Sequence, residues 1–384
     1  MSPFIRRQQW RPFWLKLHLY LGLSFGLVFV LAGITGSLLV FYVDIDELIN
    51  PTLHINPAPT TTPKSYEEVL TALNQAHPQR DKAWRMEIPR QSTSMIMARY
   101  YKPQETEHLH FAPLIVWVNP YTAKVVSNRF WGQYLMTWIY DLHYTLLLDL
   151  TGKTIMAVVG GFLLISLITG VYLWWPHPGK LKSAFTFKPH TSFSRFNYDL
   201  HKISAIYSLI FMLLLIMSGI LLELPDFFNP IIHRLSPLYT TQPNLSNPQQ
   251  RFIRIPVDTA VAIAQNTFPN AQLRWIETPK DKTGSYCIIL YQYGEPSKRF
   301  PKTTVWINQY DGTVLDVRNP MVDNSAGDTF LNWLHPLHSG EIAGLTGRLF
   351  VLLSGIIPTI LYSTGFIRWL QKRKAKKLKA YKFN

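Results

Sequence analysis

Four of the twelve histidines sit at positions whose spacing recurs along the chain. His18 recurs as His201 at an offset of 183, and each is followed, at one and the same spacing, by a glycine, Gly36 and Gly219. His143 recurs as His338 at an offset of 195. Each leads into a similar stretch, Leu150-Thr151-Gly152-Lys153 and Leu345-Thr346-Gly347-Arg348, and then to a further glycine, Gly170 and Gly365, again at equal spacing. An imidazole offers a metal a neutral nitrogen lone pair. Two imidazoles facing each other from separate helices at one depth hold a haem iron from both axial sides inside a helical bundle. Symmetry therefore predicts two pairs, His18 with His201 and His143 with His338, and two haems. Cys287 is the sole cysteine and no Cys-x-x-Cys-His occurs, so such a haem is b-type.

Alternatives stand beside this reading. Zinc is the other metal, although histidines at opposite faces of a membrane cannot share one ion and no nearby carboxylate pair completes either set. His335, three positions before His338, is an alternate ligand or a neighbour of the haem propionates; His338 is preferred because it has a repeat partner. His54, His77, His108, His110, His177, His190 and His233 have none and read as surface residues. Gly22, Gly26, Gly33, Gly36, Gly160, Gly161, Gly219 and Gly355 either leave room for a flat macrocycle or let helices pack closely. No serine, cysteine or carboxylate constellation for hydrolysis is present, and no catalytic residue is identified.

The elements that carry these histidines are apolar. Residues 17–43, 154–176, 203–222 and 349–367 contain no Lys, Arg, Asp or Glu, and roughly 20 such residues span a bilayer core. The first is expected to stay as an anchor, because its apolar run is too long for a signal peptide and no small-residue cleavage site precedes Asp44. Basic residues cluster in the N-terminal tail (Arg6, Arg7, Arg11, Lys16), between spans two and three (Lys180, Lys182, Lys188, Arg195) and after span four (Arg368 to Lys382), which places these segments in the cytoplasm. The two long loops are nearly balanced in charge. The net charge of +15 is thus a topological excess that suits anionic lipid, and nucleic acid is not an expected partner.

The expected order is a cytoplasmic tail with the first span (1–43), an exported domain (44–137), an interfacial helix with the second span (138–175), a cytoplasmic loop (176–197), the third span (198–223), a second exported domain (224–332), an interfacial segment with the fourth span (333–370), and a basic tail (371–384). Each exported loop has a helical segment (65–76; 257–267) followed by alternating strands (94–101 and 114–118; 286–293 and 303–307), with turns at Asn119-Pro120-Tyr121-Thr122 and Asn308-Gln309-Tyr310-Asp311-Gly312. Two small α+β domains are predicted, without disulfides. Val116-Trp117-Val118-Asn119-Pro120-Tyr121 matches Val305-Trp306-Ile307-Asn308-Gln309-Tyr310 at an offset of 189, so the offsets 183, 189 and 195 grow in order. That pattern predicts a tandem duplication whose repeats run the same way through the membrane. On a continuous helix His143 would stand about 13 Å before Gly152. A separate short helix over 138–150, capped by Thr151-Gly152, is therefore expected there.

The motifs resemble those of the PepSY-associated transmembrane helix family, which includes bacterial inner-membrane ferric-siderophore reductases. The resemblance covers nearly the whole chain. It rests on Leu17-His18-Leu19-Tyr20-Leu21-Gly22, Leu31-Ala32-Gly33-Ile34-Thr35-Gly36, Val43-Asp44-Ile45-Asp46-Glu47, Asn50-Pro51, Leu142-His143, Gly152-Lys153, Thr169-Gly170-Val171-Tyr172-Leu173-Trp174-Trp175, Asp199-Leu200-His201-Lys202 and Leu337-His338-Ser339-Gly340-Glu341. Ser218-Gly219, in place of the usual Thr-Gly, and Phe366-Ile367-Arg368-Trp369 depart from the pattern. The resemblance implies a four-helix bundle with two PepSY-like periplasmic domains, haem b on span-end histidines, and electron delivery to a ferric siderophore or other ferric chelate. Some relatives carry a fused flavin domain. Only a short basic tail follows span four here, so the expected donor is a separate cytoplasmic flavin or membrane carrier.

The favoured expectation is thus an oxidoreductase of the bacterial inner membrane that reduces a ferric chelate outside and releases the iron. Trp84, Tyr100, Tyr101, Phe111, Phe130, Trp131, Tyr134 and Trp333 line its substrate site or form core. A membrane-anchored binding or regulatory module without redox activity is the alternative. A permease is disfavoured because the spans lack a charged or interrupted midplane site.

Overall fold

A segment in hydrocarbon must satisfy its backbone N–H and C=O groups internally, so charge-free runs of this length fold as helices. The computed structural model describes residues 3–58, 60–188, 191–241, 245–246 and 253–381; His190 and Lys382 lie outside them. The helices are α1 (Pro3–Leu39), α2 (Tyr42–Ile49), α3 (Tyr66–Ala76), α4 (Leu135–Thr145), α5 (Asp149–Trp174), α6 (Leu181–Ala184), α7 (Phe193–Glu223), α8 (Pro225–Leu235), α9 (Val257–Thr267), α10 (Ala326–Ser339), α11 (Gly344–Ser354) and α12 (Ile356–Tyr381). The strands are β1 (Arg85–Glu87), β2 (Ile96–Tyr100), β3 (Leu114–Val118), β4 (Val125–Phe130), β5 (Gln272–Glu277), β6 (Ser285–Tyr291), β7 (Thr303–Asn308) and β8 (Val314–Arg318). The chain divides into a helical unit (1–41, 140–225, 337–384) and a sheet unit (42–139, 226–336).

In the helical unit, four stretches among the described residues are long and apolar enough to cross a membrane: Gln9–Leu39, Asp149–Trp174, Phe193–Glu223 and Glu341–Leu378. α1 packs on α5 and α12, and α7 packs on the same two, which closes a ring with α1 and α7 at its diagonal. Small residues bring the axes together: an added Cβ at Gly33 would lie 2.8 Å from the Gly355 carbonyl, and one at Gly160 would lie 2.7 Å from Ile220. Val159, Leu163 and Ile216 fill the middle with Phe25 packed against them, and Phe25 stacks on the exposed Phe162 at 4.7 Å. Leu27, Ile168, Ile210 and Phe350 stay exposed on the outside, the surface a bilayer covers.

The fourth span differs from a single continuous helix. It breaks between α11 and α12, because Pro358 has no N–H for the Ser354 carbonyl and its ring crowds that turn. Ser37 of α1 donates to the Leu352 carbonyl just before the break, at 2.8 Å.

A separate short helix does carry His143, but it is α4, and the expected Thr151-Gly152 cap lies in the first turn of α5 instead. The chain reverses through Leu146, Leu147 and Asp149, at φ 52°, 61° and 50°. Side chains in this left-handed region cost about 1–2 kcal/mol each. The reversal sets α5 so close to α4 that a Cβ on Gly152 would overlap the Thr145 carbonyl. Gly340 and Gly344, at φ 76° and 59°, make the equivalent reversal after α10, and there Gly347 meets the Gly340 carbonyl.

In the sheet unit the two expected α+β domains are joined. All eight strands form one antiparallel sheet in the order β4-β3-β2-β1-β5-β6-β7-β8. β1 and β5 pair in the centre, Met86 opposite Ile276. Left apart, each half would expose a strand edge of unpaired backbone groups. α3 and α9 cover one face, burying Val69, Leu73, Val261 and Ala264 against Met86, Val116, Ile288 and Val305. The helix starts cap each other: Asp258 accepts from Tyr66 N and Glu67 N, and Glu67 accepts from Val257 N. On the other face, Arg129 pairs with buried Asp46 at 3.0 Å and lies over Trp117 and Tyr134. The Tyr42 and Tyr134 hydroxyls meet at 2.8 Å, and burial pushes the Tyr42 phenol up to about 12, so it stays protonated.

Gly152→Ala and Gly347→Ala, which drive a methyl into backbone, should each cost at least about 1–3 kcal/mol and lower the melting temperature in detergent. Gly161→Ala faces open space and should melt like the parent. Asp46→Asn should destabilise by about 1–3 kcal/mol by leaving the half-buried Arg129 without its counter-charge, measured by chemical denaturation followed by tryptophan fluorescence.

Candidate metal centres

Each histidine reaches its position from a different helix. His18 on α1 and His201 on α7 bring their ring centroids to 6.3 Å, with planes crossing at 85°. His143 on α4 and His338 on α10 also stand 6.3 Å apart, crossing at 56°. His335 stands edge-on to Phe300 in the sheet unit, at 5.0 Å. His77 ends α3 and lies beside Trp84; His233 accepts from Leu238 N.

Every ring docks its Nδ1–Cε1 edge on a neighbouring helix, against a glycine that follows a hydroxyl residue. Built Cβ atoms would lie 2.8 Å from His143 Cε1 at Gly36, 3.2 Å from His18 Cε1 at Gly170, 3.2 Å from His338 Cε1 at Gly219 and 3.5 Å from His201 Cε1 at Gly365. These glycines make room for imidazoles. Gly26, Gly33, Gly160 and Gly355 serve close helix packing, and only Gly22 and Gly161 of the eight considered from the sequence face open space.

The hydrogen bonds determine which nitrogen is free. His18 Nδ1 lies 3.0 Å from the Ser166 carbonyl and 3.1 Å from Thr169 Oγ1. His201 Nδ1 lies 3.1 Å from the Leu361 carbonyl and 2.8 Å from Thr364 Oγ1. His338 Nδ1 lies 3.1 Å from the Leu215 carbonyl and 3.0 Å from Ser218 Oγ. His143 Nδ1 lies 3.0 Å from Thr35 Oγ1 and also bonds the Ala32 backbone. A carbonyl can only accept. Each hydroxyl has committed its single proton to its own helix: Thr35 to Leu31 O, Thr169 to Ser166 O, Ser218 to Leu214 O and Thr364 to Ile360 O. All four Nδ1 atoms must therefore carry the hydrogen, which leaves each Nε2 with its lone pair for a metal.

The separation fits one ion per pair. A metal–imidazole bond of about 2 Å plus a ring radius of about 1 Å, doubled, gives about 6 Å. No group of three or more His, Cys, Asp or Glu side chains that could hold a metal occurs among the described residues. Zinc prefers four donors, and a pair supplies half of them. A macrocycle that brings four nitrogens of its own needs two axial ligands, so the residues fit haem. Cys287 lies on β6 in the sheet unit and belongs to neither pair. The two pairs are far apart along the bundle: on the continuous helix α1, the way from His18 to Gly36, the seat of His143, is about 27 Å at the usual helical rise.

The carbonyl-and-hydroxyl seats leave only Thr-Gly or Ser-Gly dipeptides in the sequence, and the fold alone shows that each receives an imidazole from another helix. Asp199, beside His201 in sequence, is fully buried between Arg195 at 2.9 Å and Lys202 at 3.2 Å. Lys202 in turn donates to the Ser183 and Thr186 carbonyls, which ties the 178–187 loop to α7.

A family model described as the PepSY-associated TM region matches residues 15–372, nearly the whole chain. A search among curated proteins finds no significant match.

The geometry predicts that His338→Ala eliminates the absorbance of one centre and that His335→Ala keeps both. Haem-to-protein stoichiometry of the purified variants checks this, and a His335→Ala protein missing a centre contradicts the assignment.

Proposed function

The chain belongs to the PepSY-associated transmembrane family, and from that premise and the two facing imidazole pairs we propose that it is a bacterial inner-membrane reductase that carries electrons across the bilayer to a ferric siderophore or other ferric chelate. The observation that supports this most directly is the commitment of all four Nδ1 atoms, which leaves each pair two Nε2 lone pairs with which it would hold a metal. A b-type haem bound at each pair would supply a one-electron carrier. The histidines would hold it by Nε2, the helix carbonyls and hydroxyls orient these rings, and the packed apolar residues between the pairs keep water and ions out of the middle of the bundle.

Direction follows from charge. The basic segments adjoin His18 and His201, so this end is cytoplasmic by the positive-inside rule; the two long loops follow α1 and α7 at the opposite helix ends and are therefore periplasmic. Electrons enter from a separate cytoplasmic flavin or membrane donor and leave near His143 and His338. Reduction to the ferrous state weakens binding by hard oxygen donors, and the iron is released. Recurrence of the histidine, hydroxyl–glycine and sheet features in both halves supports a tandem parallel duplication. The observed pairing of imidazoles favours this over a purely regulatory module, which has no use for two tied and facing ligand sets.

The test uses vesicles of known orientation holding an impermeant ferric chelate and a ferrous indicator on the sheet-unit side. A reductant added on the basic-tail side should reduce the chelate, and His18→Ala or His201→Ala should slow this at least tenfold. A colourless protein from haem-replete cells, or an unchanged rate in both variants, would overturn the reading.

A further inference from the structure

Resting on that reading, we propose that Thr35, Thr169, Ser218 and Thr364 are positioning residues whose hydroxyls set the reduction potential of the centre each one serves. Every Nδ1–H is shared between a backbone carbonyl and a hydroxyl oxygen of the neighbouring helix, the oxygen standing at 3.1 Å for Thr169, 2.8 Å for Thr364 and 3.0 Å for both Thr35 and Ser218. The hydroxyl proton is turned away to its own helix, so the oxygen presents a lone pair to the imidazole. An acceptor at Nδ1–H pulls the proton outward and raises the electron density that Nε2 donates to the metal. A more electron-rich iron favours its oxidised form, which lowers the potential. The carbonyl is a fixture of the helix and cannot be changed by substitution. The hydroxyl can, and it is the part of the seat through which the side-chain sequence sets the potential.

The assignment crosses between helices in a way that sequence neighbours do not suggest. The hydroxyl on α5 serves the histidine on α1, and the hydroxyl on α12 serves the histidine on α7; those on α1 and α7 serve the histidines of α4 and α10. Thr169 and Thr364 thus govern the His18–His201 centre, and Thr35 and Ser218 the His143–His338 centre. Ser218 lacks the methyl of the other three, so a purely packing role would leave that seat looser, yet its oxygen stands at 3.0 Å from the ring, like Thr35.

The experiment is a spectroelectrochemical titration of the full-length protein in nanodiscs, with each centre assigned by the histidine variant that removes it. Thr169→Val and Thr364→Val should shift the potential of the His18–His201 centre upward and leave the other unmoved. Thr35→Val and Ser218→Ala should do the reverse. Thr169→Ser and Ser218→Thr, which keep the oxygen, should titrate as the parent does. Unmoved potentials in all four hydroxyl-deleted variants, with bis-imidazole spectra intact, overturn the proposal. Loss of a centre in Thr169→Val that Thr169→Ser fails to restore also overturns it, because the oxygen alone is then not what sustains the seat; restoration by serine supports it. A parent protein without haem overturns the functional reading itself and this proposal with it, an outcome distinct from haem bound at unmoved potentials.

Discussion

An imidazole in a membrane bundle has two nitrogens and can be a dependable metal ligand only if one of them is already tied. In this protein the tie is made between helices. A backbone carbonyl on the i−3 side of a threonine or serine, the hydroxyl itself and the following glycine form a seat on one helix, and the histidine that fills it comes from another. Because the hydroxyl proton is engaged within its own helix, the histidine has no choice but to donate. That one-way arrangement fixes the tautomer and the ring edge at all four positions. The 6.3 Å approach of the rings in each pair follows from where those seats stand in the closed ring of α1, α5, α7 and α12.

Two of the histidines are not on the spans, and the reversals after α4 and α10 are what bring them in. A continuous helix would carry His143 beyond the seat at Gly36. The left-handed turn through Leu146, Leu147 and Asp149 folds α4 back instead, and the strain of three side chains in that region is held by the packing of α5 against the Thr145 carbonyl. The second reversal reaches the same end with glycines at φ 76° and 59°, which avoid the steric cost. The two halves have solved one geometric problem with different residues, and Gly152 and Gly347 are common to both because the backbones touch there.

The sheet unit closes in a related way. Each half alone makes a four-stranded sheet with an open inner edge, and pairing β1 with β5 removes both edges at once. The reciprocal capping by Asp258 and Glu67 ties α3 to α9 across the same line, so the core beneath the helices runs through both halves without a boundary.

Much of this was legible in the sequence, and the reason is local physics. Charge-free runs of bilayer length must be helices, alternating β-branched and aromatic residues must be strands, and the helical segments expected over 65–76 and 257–267 form as α3 and α9. The four histidines stood out through their recurrence, and His143 on its own short helix followed from its distance to Gly152. What the sequence could not decide depended on groups far apart in the chain. The backbone pairing of β1 with β5 carries no side-chain signature, so the pattern points to two domains where one sheet forms. The glycines that follow the histidines at regular spacing were visible, but each seats a ring from another helix, a contact between residues distant in sequence. The left-handed turn at Leu146 likewise lies where α5 meets the Thr145 carbonyl, a contact that local sequence does not mark. Sequence determined the recurring histidines and the elements that carry them; tertiary structure decided which nitrogen each one has free, because the atoms that take up the other belong to a neighbouring helix.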